Sequence, residues 1–490
     1  NTAARTKLTM RMGNTVALFA MVHSSPLPDI TLPGTAFDRM VPTDVALPAI
    51  TEIDTGRTVT YRELAELANA AAARLRSRNV GPGSVVELRL SNSIDFAVAL
   101  LAVARTGAAA ALIGPSLIDA EASRLSSVAG TTHRVEPGDL APGPGAAFDP
   151  ADPDWVAAIP FSSGTTGLAK GVELTHRSIA ANAAQFNAAL AASGIGEGTR
   201  VAAPLPFSHI YGLNTLLLSS LAARRHVFTA ARFDLAAFAA AHRSHGIELS
   251  FIAPPIALAL ANSPNVDPAD FATTAHMVCG AAPLSDSVAR RVEERLGVVV
   301  LQGYGTTESS PVTHVGIAGR SNPGTIGFAL PNTQFRIVDV DTGAEVPDGA
   351  AGELQVQGPQ VMRGYVDNPT ATQTAITDGW LRTGDIARVN PDETVTVVDR
   401  AKDVFKYHGF QVAPAELEAL LLTHPLVDDV AVAERGGVPK AFIVKQDGLD
   451  EDTVMAWVAQ RVTAYKKVRA VEFVAEIPRN AAGKILRKDL

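Results

Sequence analysis

The sequence predicts a mixed α/β protein: a large N-terminal body of parallel-sheet α/β layers, followed by a smaller α+β unit. Short strands alternate with helices between Gly or Pro punctuation, the pattern of a parallel layer covered by helices. Strands over 249–253, 276–279 and 298–302 each end in small residues, at Pro254-Pro255, Gly280-Ala281-Ala282-Pro283 and Gly303-Tyr304-Gly305. Such endings open a cleft at the carboxyl edge of a parallel sheet, where α/β proteins bind ligands. After a charged run, a helix over 414–422, strands over 429–433 and 441–445 and a helix over 453–462 make a self-sufficient unit.

Size and charge narrow the class. A chain of 490 residues is too long for one core and suggests about two to four compact units. Lys plus Arg number 42 and Asp plus Glu 50, a net charge of −8, which argues against a general nucleic-acid binder. The single cysteine, Cys279, excludes a disulfide framework or a cysteine metal cluster and fits a reducing compartment, so a cytoplasmic location is expected.

Residues 1–28 carry Arg5, Lys7 and Arg11 but no acid before Asp29, which would suit a transit peptide. The apolar run 15–22 is too short to cross a membrane. Because patterned segments begin only later, residues 1–30 are expected to be a poorly ordered extension, with Met21 an alternative start.

The patterned chain opens with residues 58–64, a short strand running into a helix, with Thr60 at the N-cap and Glu63 at capping-box spacing. A strand over 85–90, a helix over 94–104 and a strand over 108–113 follow. The apolar tract 96–112 is interrupted by Arg105 and Gly107, so it divides into a helix and a buried strand, and no integral membrane association is expected. Residues 137–153, rich in Pro, Gly, Ala and Asp, read as a surface connection.

Next comes Ser162-Ser163-Gly164-Thr165-Thr166-Gly167-Leu168-Ala169-Lys170-Gly171, between apolar runs that predict a strand, a loop and a strand. Glycines expose backbone N–H groups to an anion, and hydroxyls and a lysine add donors and charge, which suits a polyphosphate. The Walker pattern fails, because the glycines are three apart, Gly171 follows Lys170, and a strand rather than a helix comes next. Taken alone, such a cluster is more often a flexible polar loop.

Beyond a helix over 175–189 and a strand over 201–206 lies Phe207-Ser208-His209-Ile210-Tyr211-Gly212, where a histidine among apolar residues is ordinarily a core or rim residue. Tyr304-Gly305-Thr306-Thr307-Glu308 follows the strand over 298–302, and Trp380-Leu381-Arg382-Thr383-Gly384-Asp385 precedes a strand over 394–398. Asp399-Arg400-Ala401-Lys402-Asp403 has no apolar anchor and reads as a solvated turn or a hinge. Near the C-terminus, Lys484 follows Gly483 within Pro478 to Arg487; a lone lysine there would ordinarily face solvent.

These motifs stand in the order and spacing of the adenylate-forming superfamily, which the chain resembles from roughly residue 35 onward. His209-Ile210-Tyr211-Gly212, the segment 280–284, the run Lys406 to Glu418 and the Ile-Leu-Arg-Lys ending are most similar to 4-coumarate or cinnamate:CoA ligases. The resemblance implies an N-terminal adenylation domain, residues 31–398, that includes a β-barrel-like part, and a mobile C-terminal domain, residues 399–490. It also implies ATP, Mg²⁺ and coenzyme A.

By the same resemblance Ser162, Ser163, Gly164, Thr165, Thr166, Gly167 and Lys170 cradle the β- and γ-phosphates. Thr307 contacts the α-phosphate and Glu308 helps to hold Mg²⁺. Asp385 accepts from the ribose hydroxyls with Arg400 assisting, while Tyr304 and the backbone of Gly280, Ala281 and Ala282 enclose the adenine beside Gly303 and Gly305. Lys484 bridges the substrate carboxylate and the α-phosphate; Lys406 and Gln411 serve thioester formation; Asp399 and Lys402 mark the hinge. The resemblance counts His209 and Thr307 as catalytic with Lys484, Lys406 and Gln411. His209, Tyr211, Thr215, Gly280, Gly305, Pro311 and Val312 match the phenylpropanoid pocket, where the glycines are expected to leave flat space for a ring and Tyr211 to offer a face or hydroxyl.

Departures from the family pattern are Thr306, Ser309, Ser310 and Ala169, and His408 in place of a lysine near the expected CoA arm. They leave a carrier-protein phosphopantetheine as an alternative acceptor and a medium- or long-chain fatty acid as an alternative acid.

Overall fold

The computed structural model describes residues 44–146, 151–163, 169–400, 403, 405–407, 410–480 and 483–490. Expectations for residues 1–30, for Gly164, Thr165, Thr166 and Gly167, and for Lys402 and His408 lie outside the described residues.

The predicted alternation of strand and helix builds two large sheets. One has the strand order Phe328–Ala329, Val312–Val315, Val299–Gly305, His276–Cys279, Leu249–Ile252, Arg200–Ala202, His226–Thr229, Pro48–Glu52 and Thr58–Thr60. Its middle, from Val299–Gly305 to Pro48–Glu52, is parallel throughout. The other sheet has a parallel core of His133–Arg134, Val85–Leu88, Ala109–Leu112 and Val156–Ile159. Ala169–Thr175 joins it antiparallel and pairs in turn with Phe161–Ser163 and Gly364–Tyr365.

Local chemistry accounts for the element boundaries. Helix Tyr61–Ser77 begins with the expected capping box, Thr60 accepting from Glu63 N and Glu63 accepting from Thr60 N at 2.7 Å. Helix Ile94–Thr106 runs past Arg105, which sits in its last turn, and stops at Gly107 with φ +79; the glycine alone breaks the apolar tract. Strand Arg200–Ala202 is shorter than predicted, since Pro204 and Pro206 cannot donate to a ladder. Strand Val299–Gly305 is longer than predicted: its small residues do not end it, because Gly303, Tyr304 and Gly305 pair antiparallel with Val315, His314 and Val312. Within the predicted surface connection, Asp139 is buried and paired with Arg78, which anchors that turn to the body.

A five-stranded antiparallel sheet follows, comprising Gln334–Val338, Gly352–Gln357, Ile376–Thr377, Trp380–Val389 and Val395–Arg400. One continuous apolar core runs through these layers from Ala49 to Val395. A second core, including Val412, Leu417, Val430, Ile443 and Val458, is packed among helices Pro414–Leu421 and Glu451–Ala459 and strands Val427–Arg435, Val438–Lys445 and Ala470–Phe473. Among the described residues no helix is long and apolar enough to cross a membrane.

Candidate active site

The carboxyl ends of strands Leu249–Ile252, His276–Cys279 and Val299–Gly305 open onto a cleft of about 1340 Å³, its mouth included. Ala281, Ala282, Gly303, Tyr304, Asp385, Arg400 and Lys484 all line it, although they are scattered over two hundred positions of sequence. Asp385 is the electrostatic centre. Tyr304 Oη donates to its Oδ2 at 2.6 Å and Arg400 Nε lies 3.0 Å from its Oδ1. A carboxylate only 3 % exposed needs such partners to remain charged. Burial first, and the Asp385 charge second, push the Tyr304 phenol well above its ordinary range, so it acts as a donor.

A β-bulge aims Asp385. Gln355 pairs with Arg382 and Glu353 with Ile386, so Leu354 alone faces Thr383, Gly384 and Asp385. Gly384 takes φ +69, a left-handed conformation that favours glycine, and Thr383 Oγ1 donates to Leu354 O at 2.6 Å.

Lys484 is half-buried at the cleft rather than simply facing solvent. Gly483 brings it there: a Cβ at Gly483 would lie 3.0 Å from Pro255 Cδ, at the end of strand Leu249–Ile252. Both flanks of this segment are tied to the C-terminal unit, Arg479 to Asp429 at 2.8 Å and Arg487 to Glu418 at 2.7 Å. Burial pushes the Glu418 carboxyl up to about 7 against the pull of Arg487.

Asp399 departs from the solvated-turn expectation. It is 6 % exposed and accepts from Ala415 N at 2.9 Å and Arg400 N at 2.7 Å. Helix Pro414–Leu421 has no side-chain cap of its own, so Asp399 satisfies a first-turn N–H from outside. Lys406 and Gln411 stand opposite each other in the hairpin Phe405–Tyr407 and Phe410–Val412; their side chains, like that of Ser163, lie outside the described residues.

The polyphosphate candidates converge at the other end. Strands Phe161–Ser163 and Ala169–Thr175 flank the glycine loop as predicted, with Ser162 opposite Lys170. The short turn Thr307–Ser309 packs on both strands. Tyr365, which the sequence did not single out, donates to Glu308 Oε1 at 2.8 Å and places its ring centroid 4.7 Å from Lys170 Nζ.

His209, Tyr211, Thr215, Gly280, Gly305, Pro311 and Val312 line one smaller cavity of about 360 Å³, its mouth included. Two details of the expectation change. Tyr211 spends its hydroxyl on Val278 O at 3.0 Å, leaving its face as the pocket element. The glycines also serve the chain itself: a Cβ at Gly305 would sit 1.7 Å from Pro311 O, and one at Gly280 3.0 Å from the Tyr211 ring. Surrounding apolar groups push His209 down to about 4, although part of its ring still reaches the cavity, so its imidazole is neutral at pH 7. Tyr211–Leu218 is a π-helix, a form enriched at functional sites.

Two asparagines absent from the sequence reading hold the far wall. Asn182 donates to Val312 O at 2.6 Å and accepts from Val312 N at 3.1 Å, and Asn214 donates to Ser310 O. Their helical neighbours are apolar or small, so no local signal marked them.

Comparison with known proteins places this architecture. Residues 37–137 and 127–366 match the AMP-binding enzyme family, and residues 416–484 match the AMP-binding enzyme C-terminal domain. The chain is 38 % identical to 4-coumarate–CoA ligase 3 of Oryza sativa subsp. japonica over 98 % of its length and 96 % of that protein. It is 34 % identical to 4-coumarate–CoA ligase of Pinus taeda over 98 % and 99 % of the two chains. ATP-bound MatB from Rhodopseudomonas palustris superposes with a TM-score of 0.85 at 25 % identity, covering 94 % of this chain and 98 % of that one. The anthranilate CoA ligase AuaEII in complex with anthranoyl-AMP shares the fold, with a TM-score of 0.87 at 22 % identity over 95 % and 97 % of the two chains. The chain therefore belongs to the AMP-binding enzymes and is an AMP-forming acid–thiol ligase of the acyl-CoA synthetase type.

Proposed function

We propose that this ligase activates planar aryl or arylpropenoic acids, of the 4-coumarate and cinnamate kind, and transfers them to coenzyme A. The observation that carries the acid class is the small cavity bounded by the Tyr211 face, Gly280, Gly305, Pro311 and Val312. Its Pro311 and Val312 wall is held from behind by Asn182 and Asn214, and its lining among the described residues is small or aromatic rather than a run of long aliphatic side chains. The buried Thr215 Oγ1 has no hydrogen-bond partner among the described residues, and a ring hydroxyl on the acid would satisfy it.

In the first half-reaction a carboxylate oxygen attacks the α-phosphorus of ATP, the bond to the β-phosphate breaks, and pyrophosphate leaves. Two anions must meet, and Lys484 supplies positive charge where they do. Asp385 accepts from the ribose hydroxyls through its remaining lone pairs, and Tyr304, Ala281 and Ala282 enclose the base. Thr307, Ser162 and Lys170 face the phosphates. In the second half-reaction the thiol sulfur of coenzyme A attacks the acyl carbon, AMP departs and the thiol proton is released, with Lys406 and Gln411 serving this step after the C-terminal unit pivots at Asp399 and Lys402.

Glu308 fits Mg²⁺: one partly exposed carboxylate suffices for an ion that keeps several waters and takes the rest of its ligands from phosphate. When bound, the ion offsets charge on the phosphates.

A pyrophosphate-release screen over cinnamates, benzoates and fatty acids tests the reading, followed by an acceptor assay with coenzyme A and with a phosphopantetheinylated carrier protein. Higher kcat/KM for planar aryl acids, with acyl-CoA as product, is expected. Equal or better values for laurate or palmitate, or transfer to the carrier alone, would overturn it.

A further inference from the structure

Residues 361–366 form a strap that joins both halves of the polyphosphate end. Strand Gly364–Tyr365 pairs with Ala169–Thr175, the strand that carries Lys170. Val366 N donates to Gly171 O at 3.0 Å, and Met362 N donates to the Glu308 carbonyl at 2.8 Å. The backbone of one short segment thus holds the lysine strand and the acid turn together. From this frame the Tyr365 hydroxyl reaches Glu308 Oε1, and the Tyr365 ring lies under Lys170 Nζ.

We propose that Tyr365 is a positioning residue that sets Glu308 and Lys170 relative to each other for the metal-bound polyphosphate. The inference rests on the nucleotide-ligase reading above. A phenol suits the task because it holds two opposite charges without neutralising either. Its O–H fixes one carboxylate oxygen, and its ring face attracts an ammonium through the quadrupole. A lysine at this position would neutralise Glu308, and an acid would repel it. A phenol is protonated at neutral pH and the carboxylate oxygen it faces can only accept, so the hydroxyl is the donor. The two contacts also separate chemically: Tyr365→Phe deletes the hydroxyl and keeps the ring, whereas Tyr365→Leu deletes both.

The test is calorimetric binding of ATP to the full chain, without turnover, in EDTA and in Mg²⁺. In EDTA, Y365F should bind like wild type and Y365L about threefold or more weaker, the size of a lost cation–π contact. In Mg²⁺, wild type should gain affinity, and the gain for Y365F should be smaller by about tenfold or more, as expected for a lost hydrogen bond to a charged group. Adding Y365F to Glu308→Gln should cost nothing further, because both changes remove one interaction. A Y365F protein with the full Mg²⁺ gain, or with its whole loss retained in the E308Q background, would overturn the inference and leave the ligase reading standing. Failure of wild type to bind ATP in either buffer would overturn both. Should Y365L not fold, the Y365F and E308Q/Y365F proteins still decide, since they alter single atoms on retained side-chain frames.

Discussion

Tyr304 and Asp385, eighty-one positions apart, are joined by a 2.6 Å hydrogen bond at the floor of the cleft. The ring proposed to enclose the base and the carboxylate proposed to face the ribose are therefore one unit, with Arg400 3.0 Å away on the other carboxylate oxygen. Asp385→Ala should raise the ATP KM by about tenfold or more, the scale of a lost charged hydrogen bond, and leave the KM for the acid little changed. Initial rates with each substrate varied in turn check this; an unchanged ATP dependence would place the ribose elsewhere.

Removing Lys484 should separate the half-reactions. Loss of one electrostatic donor slows the step it serves by about 10²-fold or more, so Lys484→Ala should lose pyrophosphate release yet still convert supplied acyl-AMP to acyl-CoA. Gln411→Ala and Lys406→Ala should show the reverse. Stopped-flow measurement of each half-reaction on protein with an unaltered circular dichroism spectrum decides, and equal damage to both by Lys484→Ala would refute the assignment.

Neighbouring glycines should respond in opposite ways. At Gly305 an added Cβ would meet Pro311 O at 1.7 Å, whereas at Gly303 the nearest atom, Val278 Cγ1, is at 3.6 Å. Gly305→Ala should lower the thermal midpoint or the soluble yield sharply, through lost pairing of Val299–Gly305 with Val312–Val315. Gly303→Ala should fold normally and show its effect in the KM values for ATP and the acid, because Gly303 lines both the cleft and the smaller cavity. Equal melting curves for the two variants would contradict the geometry.

Acid should destabilise the fold through its buried histidines. Burial pushes His209 and His242 down to about 4 and His314 to about 3, from 6.5. The native state then binds fewer protons than the unfolded state between those limits, so stability present above 6.5 is lost as pH falls toward 4. Glu418 acts with the opposite sign: raised from 4.5 to about 7, it costs stability as pH rises through that window. His176 and His226 are likewise pushed down to about 4 by burial, and burial also raises Asp399; with five such histidines against two carboxyls, the urea midpoint should fall between pH 7.5 and pH 5, and Glu418→Gln should steepen the fall. A midpoint that rises on acidification would refute this balance.

What was legible in the sequence was local or carried on short motifs. The Thr60 and Glu63 capping box needs only four residues, and small residues after Ile252, Cys279 and Gln302 marked the carboxyl edge where the cleft opens. The seven acyl-cavity positions came from resemblance, and the fold brings them to one place. Contacts made across the fold were hidden. Nothing near Tyr365 in sequence indicates that its hydroxyl meets Glu308, fifty-seven positions earlier. Nothing around Asn182 indicates a clamp on Val312. Gly305 was read for the space it leaves a ligand, when its nearest obstacle is the chain's own carbonyl.

The contact of Gly483 with Pro255 gives the C-terminal segment a docking key cut to glycine's dimensions. Neither residue takes part in bond making. Under the two-pose cycle proposed above, the fit between them sets how long the lysine stays in place before the unit swings away. A methyl group at position 483 would therefore act as a throttle on the partition between half-reactions, shortening the adenylating dwell both by spoiling the fit and, at φ +83, by straining the turn that presents the lysine. That makes the position a handle for tuning turnover that sits wholly outside the chemistry.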